Sequence, residues 1–257
     1  MSEKEKSKLQ ECCFQVSLRH IVMEKWELGR KNDYGGITVM FYGPPGTGKT
    51  MAAQVIASQL GMELYKAELS AVVSKFVGET EKNLKRIFED ASKSQAILFF
   101  DEADALFGKR TEVKDSHDKY SNMEAAFLLQ EMERYNGVVI LATNFVENID
   151  EAFKRRMKFI IEFHFPSADE RRLIWEKAVP EAMPIDNDVD FDFLAEKFQL
   201  TGSAIKNAVY SAAFIAAANK KDVGMKEFIL AVKREYEKTG KLFSVAEAGI
   251  YSDYIKQ

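Results

Sequence analysis

The apolar positions of this chain follow one pattern before Pro166 and another after it. Before it, short apolar runs alternate with segments of helical spacing, and the clearest runs are ITVMFY (37–42), AILFF (96–100) and VVILA (138–142). Runs that are apolar throughout are typical of parallel strands covered on both faces. MELYKAEL (62–69) predicts a further strand. Because these strands alternate with helices, we predict a mostly parallel, three-layer α/β sheet.

After Pro166 only helical patterns remain, in the segments 168–179, 191–198, 202–219 and 225–238. They predict a small all-helical domain at the C-terminal side of the sheet. At the other end, about ten charged residues predict a frayed leader, and a helix is predicted between Glu11 and Gly29. The patterns thus divide the chain into an N-terminal leader and helix (1–33), an α/β domain (34–165) and a helical domain (166–257).

The first predicted strand runs directly into GPPGTGKT, which fills the pattern G-x-x-x-x-G-K-[ST]. A strand before this motif and a helical segment after it are the flanks of a phosphate-binding loop. Its glycines let backbone N–H groups approach an anion, Lys49 places a charge on the β- and γ-phosphates, and the Thr50 hydroxyl is the expected magnesium ligand. The predicted nucleotide-binding residues are Gly43, Pro44, Pro45, Gly46, Thr47, Gly48, Lys49 and Thr50.

Polar side chains follow two other predicted strands. Asp101, Glu102 and Asp104 come directly after the run 96–100, and Thr143 with Asn144 ends the run 138–142. Carboxylates beside a buried strand are costly unless they are solvated or bound to something. Open parallel sheets bind their ligands at the carboxyl ends of the strands, so we expect these side chains to share one site with the glycine-rich motif.

Composition limits the possible functions. The chain has 257 residues, with 46% hydrophobic and 30% charged residues, which is typical of a soluble globular protein. No apolar run approaches the roughly 20 residues that span a bilayer, and the start MSEKEKSKLQ lacks the apolar core of a signal peptide, so we predict a cytoplasmic protein without a membrane span. A net charge of −4 argues against nucleic acid as the main partner. The adjacent Cys12 and Cys13 suit neither a disulfide framework nor a zinc site.

The motifs GPPGTGKT, ILFFDEAD and ATN, followed by IDEAFKRR and a helical tail, together resemble an AAA ATPase. Residues 135–165 are similar to the second region of homology that separates AAA proteins from other P-loop enzymes. The resemblance implies a P-loop NTPase fold with a helical lid, ATP and Mg²⁺ as cofactors, and a homo-oligomeric ring, a hexamer, as the active form. GPPGTGKT is then the Walker A motif.

The same resemblance implies roles for the residues that follow the strands. Asp101 matches the Walker B aspartate, which holds magnesium through its water shell, and Glu102 matches the catalytic glutamate that polarises the attacking water. Asn144 matches sensor 1, which contacts the γ-phosphate and that water. An asparagine at a strand end can also simply cap a turn, and this alternative stays open.

The basic cluster KRRMK (154–158) lies where the family has its arginine finger, which reaches into the neighbouring subunit's ATP. Arg155 is the first candidate and Arg156 the second. The usual pattern has another arginine three positions after the first, where this chain has Lys158. The alternative is that Arg155 or Arg156 is only a surface charge.

Three further segments gain an interpretation from the resemblance. Lys75, Phe76 and Val77 resemble pore loop 1, whose aromatic residue grips a polypeptide, although Phe76 could instead fold under its own domain. The polar stretch 108–122 is the candidate for pore loop 2, before a helix predicted to start at Met123. Gly202 and Ser203 resemble the start of the sensor 2 helix, where small residues face the nucleotide.

These residues predict an ATPase that couples turnover in a ring to the remodelling, threading or disassembly of a protein substrate. The alternative is a nucleotide-gated assembly or regulatory switch that binds a partner complex without translocating it. A clamp loader or helicase loader would share the ATP chemistry, but the acidic balance and the Lys-Phe-Val-Gly loop disfavour it.

Overall fold

The computed structural model describes residues 1, 3–30, 35–73, 78–107, 116–144, 151–240, 243 and 248–255. The chain forms two compact units. The first contains Met1–Pro44 and Gly48–His164, and the second contains Pro45–Thr47 and Phe165–Gln257. The division into three parts at residues 33 and 165 stays a prediction.

The first unit is built on a parallel sheet with the strand order β2-β3-β4-β1-β5. Its strands are β1 (Ile37–Tyr42), β2 (Leu64–Glu68), β3 (Ile97–Asp101), β4 (Val138–Thr143) and β5 (Phe159–Glu162). The helices of this unit are α1 (Glu3–Ser17), α2 (Lys49–Leu60), α3 (Leu69–Val72), α4 (Glu79–Ser94), α5 (Asp104–Phe107), α6 (Ser116–Arg134) and α7 (Glu151–Lys154). The predicted α/β sheet is therefore confirmed.

Both faces of the sheet are covered, which explains why its central strands are apolar throughout. Side chains alternate along a strand, so Val39 and Phe41 pack on one face with Ala53 and Ile56 of α2. The other face buries residues of the same strands against α4 and α6, and this set includes Met40, Leu98, Leu141, Leu84 and Leu128. The polar strand ends at the carboxyl edge are thus held by strands that are anchored on both sides.

Two helices begin earlier than the sequence predicts. Helix α1 begins at Glu3, so the expected frayed leader is wrong; its Lys8 Nζ donates a hydrogen bond to the Ile160 carbonyl at 3.0 Å. After Ser17 it gives way to one turn of π-helix (Ile21–Lys25) and a 3₁₀ turn (Leu28–Arg30) instead of continuing to Gly29.

Helix α6 begins at Ser116, not at Met123, so part of the stretch 108–122 is helical. Residues 108–115 lie outside the described residues. The first turns of α6 are polar and have no apolar period from which a helix could be predicted. They can still extend the helix, because its later turns are anchored by the buried Leu128 and Met132.

The second unit follows the predicted helical pattern closely. It contains α8 (Ala168–Ala178), α9 (Phe191–Lys197), α10 (Gly202–Ala218), α11 (Met225–Lys238) and a 3₁₀ segment (Gly249–Tyr254). Three of the helices begin at side-chain caps: Ser167 accepts from Glu170 N, Asp190 from Phe193 N and Thr201 from Ala204 N. Trp175, Phe198 and Phe228 are the large side chains of its core. The predicted helical C-terminal part is confirmed.

Across the described ranges, none of the helices combines the length and apolarity that crossing a bilayer requires. The cytoplasmic location stays a prediction.

Candidate nucleotide-binding site

The glycine-rich loop leaves β1 in a backbone conformation that its sequence explains. Gly43 has a φ of 141°, and a Cβ added there would collide with the carbonyl oxygen of Phe163. Gly48, with a φ of 102°, directly precedes α2. Both values lie in the region that favours glycine, so the loop can bring its N–H groups to the N-terminus of α2. This arrangement is suited to binding an anion.

Lys49 is the buried cation of this loop, with 7% of its surface exposed. Its Nζ donates to the carbonyl oxygens of Gly43 (2.6 Å) and Pro44 (3.0 Å) and to Oδ1 of Asn144 (2.8 Å). Burial lowers the pKa of Lys49, and the charges of Asp101 and Asp104 act in the opposite direction. The ammonium is therefore held in place by oxygens of the loop and of β4's end.

Asn144 lies beside the phosphate-binding loop, with its Oδ1 2.8 Å from Lys49 Nζ. The backbone N–H of Asn144 donates to Oδ1 of Asp104 at 3.4 Å, which holds the start of this segment in place. The same carboxylate oxygen accepts from the hydroxyl of Thr143 at 3.1 Å. The amide side chain of Asn144 thus contacts a charged group of the site.

The two consecutive acids at the end of β3, Asp101 and Glu102, have different partners. Thr50 Oγ1 lies 3.4 Å from Oδ2 of Asp101, and Lys66 Nζ lies 3.2 Å from the same oxygen. Glu102 is exposed, has a positive φ of 55° and accepts a 2.6 Å hydrogen bond from the hydroxyl of Ser70. A non-glycine residue with positive φ is uncommon and costs conformational energy, which is typical of functional positions.

The sequence did not indicate that Lys66 contacts Asp101 or that Ser70 contacts Glu102. It also did not indicate that Asp104 accepts hydrogen bonds from Thr143 and Asn144. Lys66 and Ser70 come from β2 and from α3, which follows it directly. Alternation along β2 puts Lys66 and Glu68 on one face, but only the strand order brings that face to Asp101. Glu68 pairs with Asp101, and Lys66, two residues earlier, points to the same face.

The side chains present fit a nucleoside triphosphate with a divalent ion. The loop offers N–H groups and Lys49 to phosphate oxygens, and Thr50 and Asp101 place two hard oxygen ligands side by side. Within the described segments, no group of three or more His, Cys, Asp or Glu side chains is arranged to hold a metal ion. An ion at Thr50 and Asp101 would therefore need phosphate and water oxygens to complete its shell, as Mg²⁺ does.

The tip of the loop, residues 45–47, packs as part of the second unit. Within that unit, Ser203 N donates to the carbonyl oxygen of Gly46 at 3.2 Å. A Cβ added at Gly46 would collide with Oγ of Ser203. A Cβ added at Gly202 would lie 3.6 Å from the carbonyl oxygen of Gly46, which is ordinary van der Waals contact. Gly202 and Ser203 thus lie beside Gly46, and their role at the nucleotide stays a prediction.

Arg155 and Arg156 lie at the opposite end of the neighbouring strands. The Arg156 carbonyl accepts from the hydroxyl of Thr38 at 2.7 Å, and Thr38 is the second residue of β1. Gly43 is five positions further along the chain than Thr38, a distance of roughly 16 Å along a strand. Arg156 Nε also pairs with Glu133 Oε1 at 3.0 Å, whereas Arg155 is exposed and its guanidinium has no ion-pair partner among the described residues.

The predicted pore residues Lys75, Phe76 and Val77 lie outside the described residues. Their interpretation stays a prediction.

Comparison with known proteins adds an independent result. The model of the ATPase family associated with various cellular activities (AAA) matches residues 39–166. A proteasome-activating nucleotidase 1 of Haloferax volcanii is 35% identical over 219 residues, which cover 82% of this chain and 54% of that protein. A proteasome-activating nucleotidase of Sulfurisphaera tokodaii is 32% identical over 212 residues, which cover 79% of this chain and 54% of that protein.

An ATP-dependent zinc metalloprotease FtsH of Lachnoclostridium phytofermentans is 35% identical over 191 residues, which cover 71% of this chain and 33% of that protein. The chain therefore spans about half the length of the proteasome-activating nucleotidases it matches. The family match covers the sheet, the phosphate-binding loop, the acids after β3 and the basic cluster before β5, all of which the geometry describes. The chain belongs to the AAA family of ATPases.

Proposed function

We propose that this chain hydrolyses ATP, with Mg²⁺, at the carboxyl edge of its sheet. The observation that carries the proposal is the way that edge is assembled. Lys49 is bonded both to its own loop and to Asn144, while Thr50 contacts Asp101 and Glu102 follows directly. Groups from three separate strand ends are thus within contact of one another, as phosphoryl transfer by positioning and charge neutralisation requires.

Each group has a role that its position supports. The N–H groups of residues 43–50 bind the β-phosphate, and Lys49 places its charge against the γ-phosphate. Thr50 and Asp101 hold Mg²⁺, which when bound neutralises charge on the phosphate oxygens. Glu102 orients and polarises the attacking water, and Asn144 contacts this water and the γ-phosphate. Gly202 and Ser203 are assigned to the nucleotide on their resemblance to the sensor 2 region.

We propose that a neighbouring subunit supplies the site with a further cation. Arg155 and Arg156 are tied to the start of β1 and β5, at the far end of the strand from Gly43. We therefore assign them to the ATP of a neighbouring subunit, where a guanidinium offsets the charge on the γ-phosphoryl oxygens. The active form is then a homo-oligomeric ring, a hexamer. Arg155 is the finger, because Arg156 already pairs with Glu133.

The substrate of this ring is a protein. Relatives that match most of the chain are named proteasome-activating nucleotidases, and the word nucleotidase in their name agrees with the ATP site. We propose that Lys75, Phe76 and Val77 contact an extended polypeptide and that turnover drives its remodelling or threading. Replacing Phe76 with Ala should leave basal ATP turnover near normal and abolish remodelling; intact remodelling would refute threading.

A nucleotide-gated switch is the second candidate, and the Ser70 contact favours it. The Ser70 hydroxyl occupies one oxygen of Glu102 at 2.6 Å, so this carboxylate is engaged before any water is bound. A partner that moves the start of α3 would change how Glu102 is held. Turnover with and without a tethered unfolded protein separates the two functions, because that polypeptide should change the turnover only of an enzyme that threads it.

The proposal is tested by measuring the native mass of the chain with ATP, as wild type and as Glu102→Gln. The variant should retain bound ATP and a ring, because it keeps every binding group and loses the carboxylate that activates water. Its turnover should fall about 100-fold or more. A variant that binds no nucleotide, or that turns over ATP like the wild type, would overturn the assignment.

A further inference from the structure

The edge strand β2 brings a lysine to the expected metal site. Lys66 and Glu68 point to the same face of the sheet as Asp101, since Glu68 is the register partner of Asp101 on β3. The Lys66 side chain lies between the two acids, with Nζ 3.2 Å from Asp101 Oδ2 and 3.5 Å from Glu68 Oε1. Asp101 is the less exposed of the two carboxylates, at 24% against 58% for Glu68.

The two oxygens of Asp101 have different neighbours. Oδ1 accepts from the backbone N–H of Glu102 at 3.1 Å. Oδ2 faces both the Lys66 ammonium and the Thr50 hydroxyl, at 3.2 Å and 3.4 Å. A divalent ion that is held by Thr50 and, directly or through a water molecule, by Asp101 has to lie on the Oδ2 side, because Thr50 faces that oxygen. The ammonium of Lys66 therefore occupies the side of the carboxylate that the ion needs.

We propose that Lys66 is a positioning residue that sets how much divalent metal the site requires, by holding Asp101 when no metal is bound and competing with the metal for Oδ2. Two cations near one carboxylate oxygen repel each other, so binding of the ion displaces the ammonium. Glu68 offers Lys66 a second carboxylate on the same face, already within 3.5 Å. Lys66 thus exchanges Asp101 for Glu68 as the metal enters. This inference rests on the proposed ATPase site.

A plain surface ion pair is the competing explanation. Half-exposed pairs contribute little to stability, and Lys66 on an edge strand could serve only as such a pair. The two explanations differ in one measurable quantity, which is the metal concentration that half-saturates the site. A surface pair leaves that concentration unchanged, whereas a competing ammonium raises it.

The test is a titration of the 257-residue chain with Mn²⁺ in the presence of ADP, monitored by the electron paramagnetic resonance signal of the free ion. Lys66→Met should lower the Mn²⁺ concentration at half-saturation by about tenfold, since one nearby positive charge is removed. Lys66→Arg should stay close to wild type. Glu68→Gln should raise it by about threefold, because Lys66 loses its second partner. Fluorescent ADP binding without metal should be the same in all four proteins.

Lys93→Met is the matched control. Lys93 is an exposed lysine paired with Asp90 near the end of α4, so its loss changes net charge equally, but it precedes the first residue of β3 whereas Asp101 is the last. Equal shifts for Lys66→Met and Lys93→Met, or no shift for Lys66→Met, would overturn the role of Lys66 while leaving the ATP site intact. Wild-type chain that binds neither ADP nor Mn²⁺ with ADP would overturn the proposed function itself.

Discussion

The two ends of strand β1 are built in opposite ways. At its carboxyl end the cation Lys49 is 7% exposed and bonded to three oxygens. At its amino end Arg155 and Arg156 are exposed, and Arg156 pairs with the half-exposed Glu133. A buried charge has to be satisfied within the subunit, whereas an exposed guanidinium keeps its donors available to another molecule. Under the proposed function, one end supplies a half-site for its own nucleotide, and the other end supplies a cation for a second half-site.

Arg155→Ala removes the guanidinium that the proposed function assigns to the neighbouring subunit, and it should have the largest effect. We expect ATP turnover of the assembled chain to fall about 1000-fold, because an arginine that acts on the transition-state charge contributes at least that much. ADP affinity should change little, since the substrate's own subunit keeps every binding group. Steady-state phosphate release and fluorescent ADP titration measure the two quantities.

Mixing two inactive variants distinguishes action in trans from action within one subunit. Lys49→Ala subunits lack a working phosphate-binding loop but carry Arg155, and Arg155→Ala subunits carry the opposite defect. An equimolar mixture should regain part of the turnover if the arginine serves a neighbour. A mixture as inactive as its components would place the arginine outside the neighbour's site, and Arg156→Ala shows whether the second arginine matters.

The next largest effect should be the loss of nucleotide affinity in Lys49→Ala, which accompanies its loss of turnover. We expect ADP affinity to fall about 100-fold, because charge-assisted hydrogen bonds to phosphate are lost. Isothermal titration with ADP and Mg²⁺ measures the change. Lys66→Arg, which keeps its charge beside the same site, should bind ADP like wild type. Unchanged affinity in Lys49→Ala would mean that the buried lysine serves only to close the loop.

Much of this architecture could be predicted because it depends on local patterns. The phosphate-binding loop is a contiguous motif whose glycines are forced by backbone geometry, as the clash at Gly43 shows. The helices of the second unit follow a regular apolar period, and helix α11 spans the predicted residues 225–238. The fully apolar strands indicated a sheet covered on both faces.

What could not be predicted depends on strand order or on polar segments. Lys66 reaches Asp101 because β2 lies beside β3, and the order of strands in a sheet is not a local property of sequence. The contact of Ser70 with Glu102 depends on how α3 follows β2. The early starts of α1 and α6 were missed because their first turns are polar and give no apolar period.

Asp104→Ala tests how firmly the carboxyl end has to be held. Asp104 accepts from the Thr143 hydroxyl and from Asn144 N–H, so it positions Asn144 without belonging to the phosphate-binding loop. We expect turnover to fall about tenfold, the effect of losing one or two hydrogen bonds to a charged group. ADP affinity should stay within about twofold. Asp104→Asn is the matched control, because its amide oxygen can still accept; if it loses as much as the alanine variant, the negative charge is what matters.

The smallest effect should come from Ser70→Ala, and its direction carries the information. Removing the hydroxyl releases Glu102 from its 2.6 Å hydrogen bond, so a carboxylate that Ser70 restrains becomes free to polarise water. We then expect basal phosphate release to rise about threefold with unchanged ADP affinity, which corresponds to one modest hydrogen bond. Ser92→Ala is the control, because the Ser92 hydroxyl donates within α4 to the Phe88 carbonyl at 2.8 Å and touches neither acid. A fall in turnover instead would mean that Ser70 holds Glu102 in its working position, and the carboxyl end of the sheet would then be assembled for hydrolysis before any partner arrives.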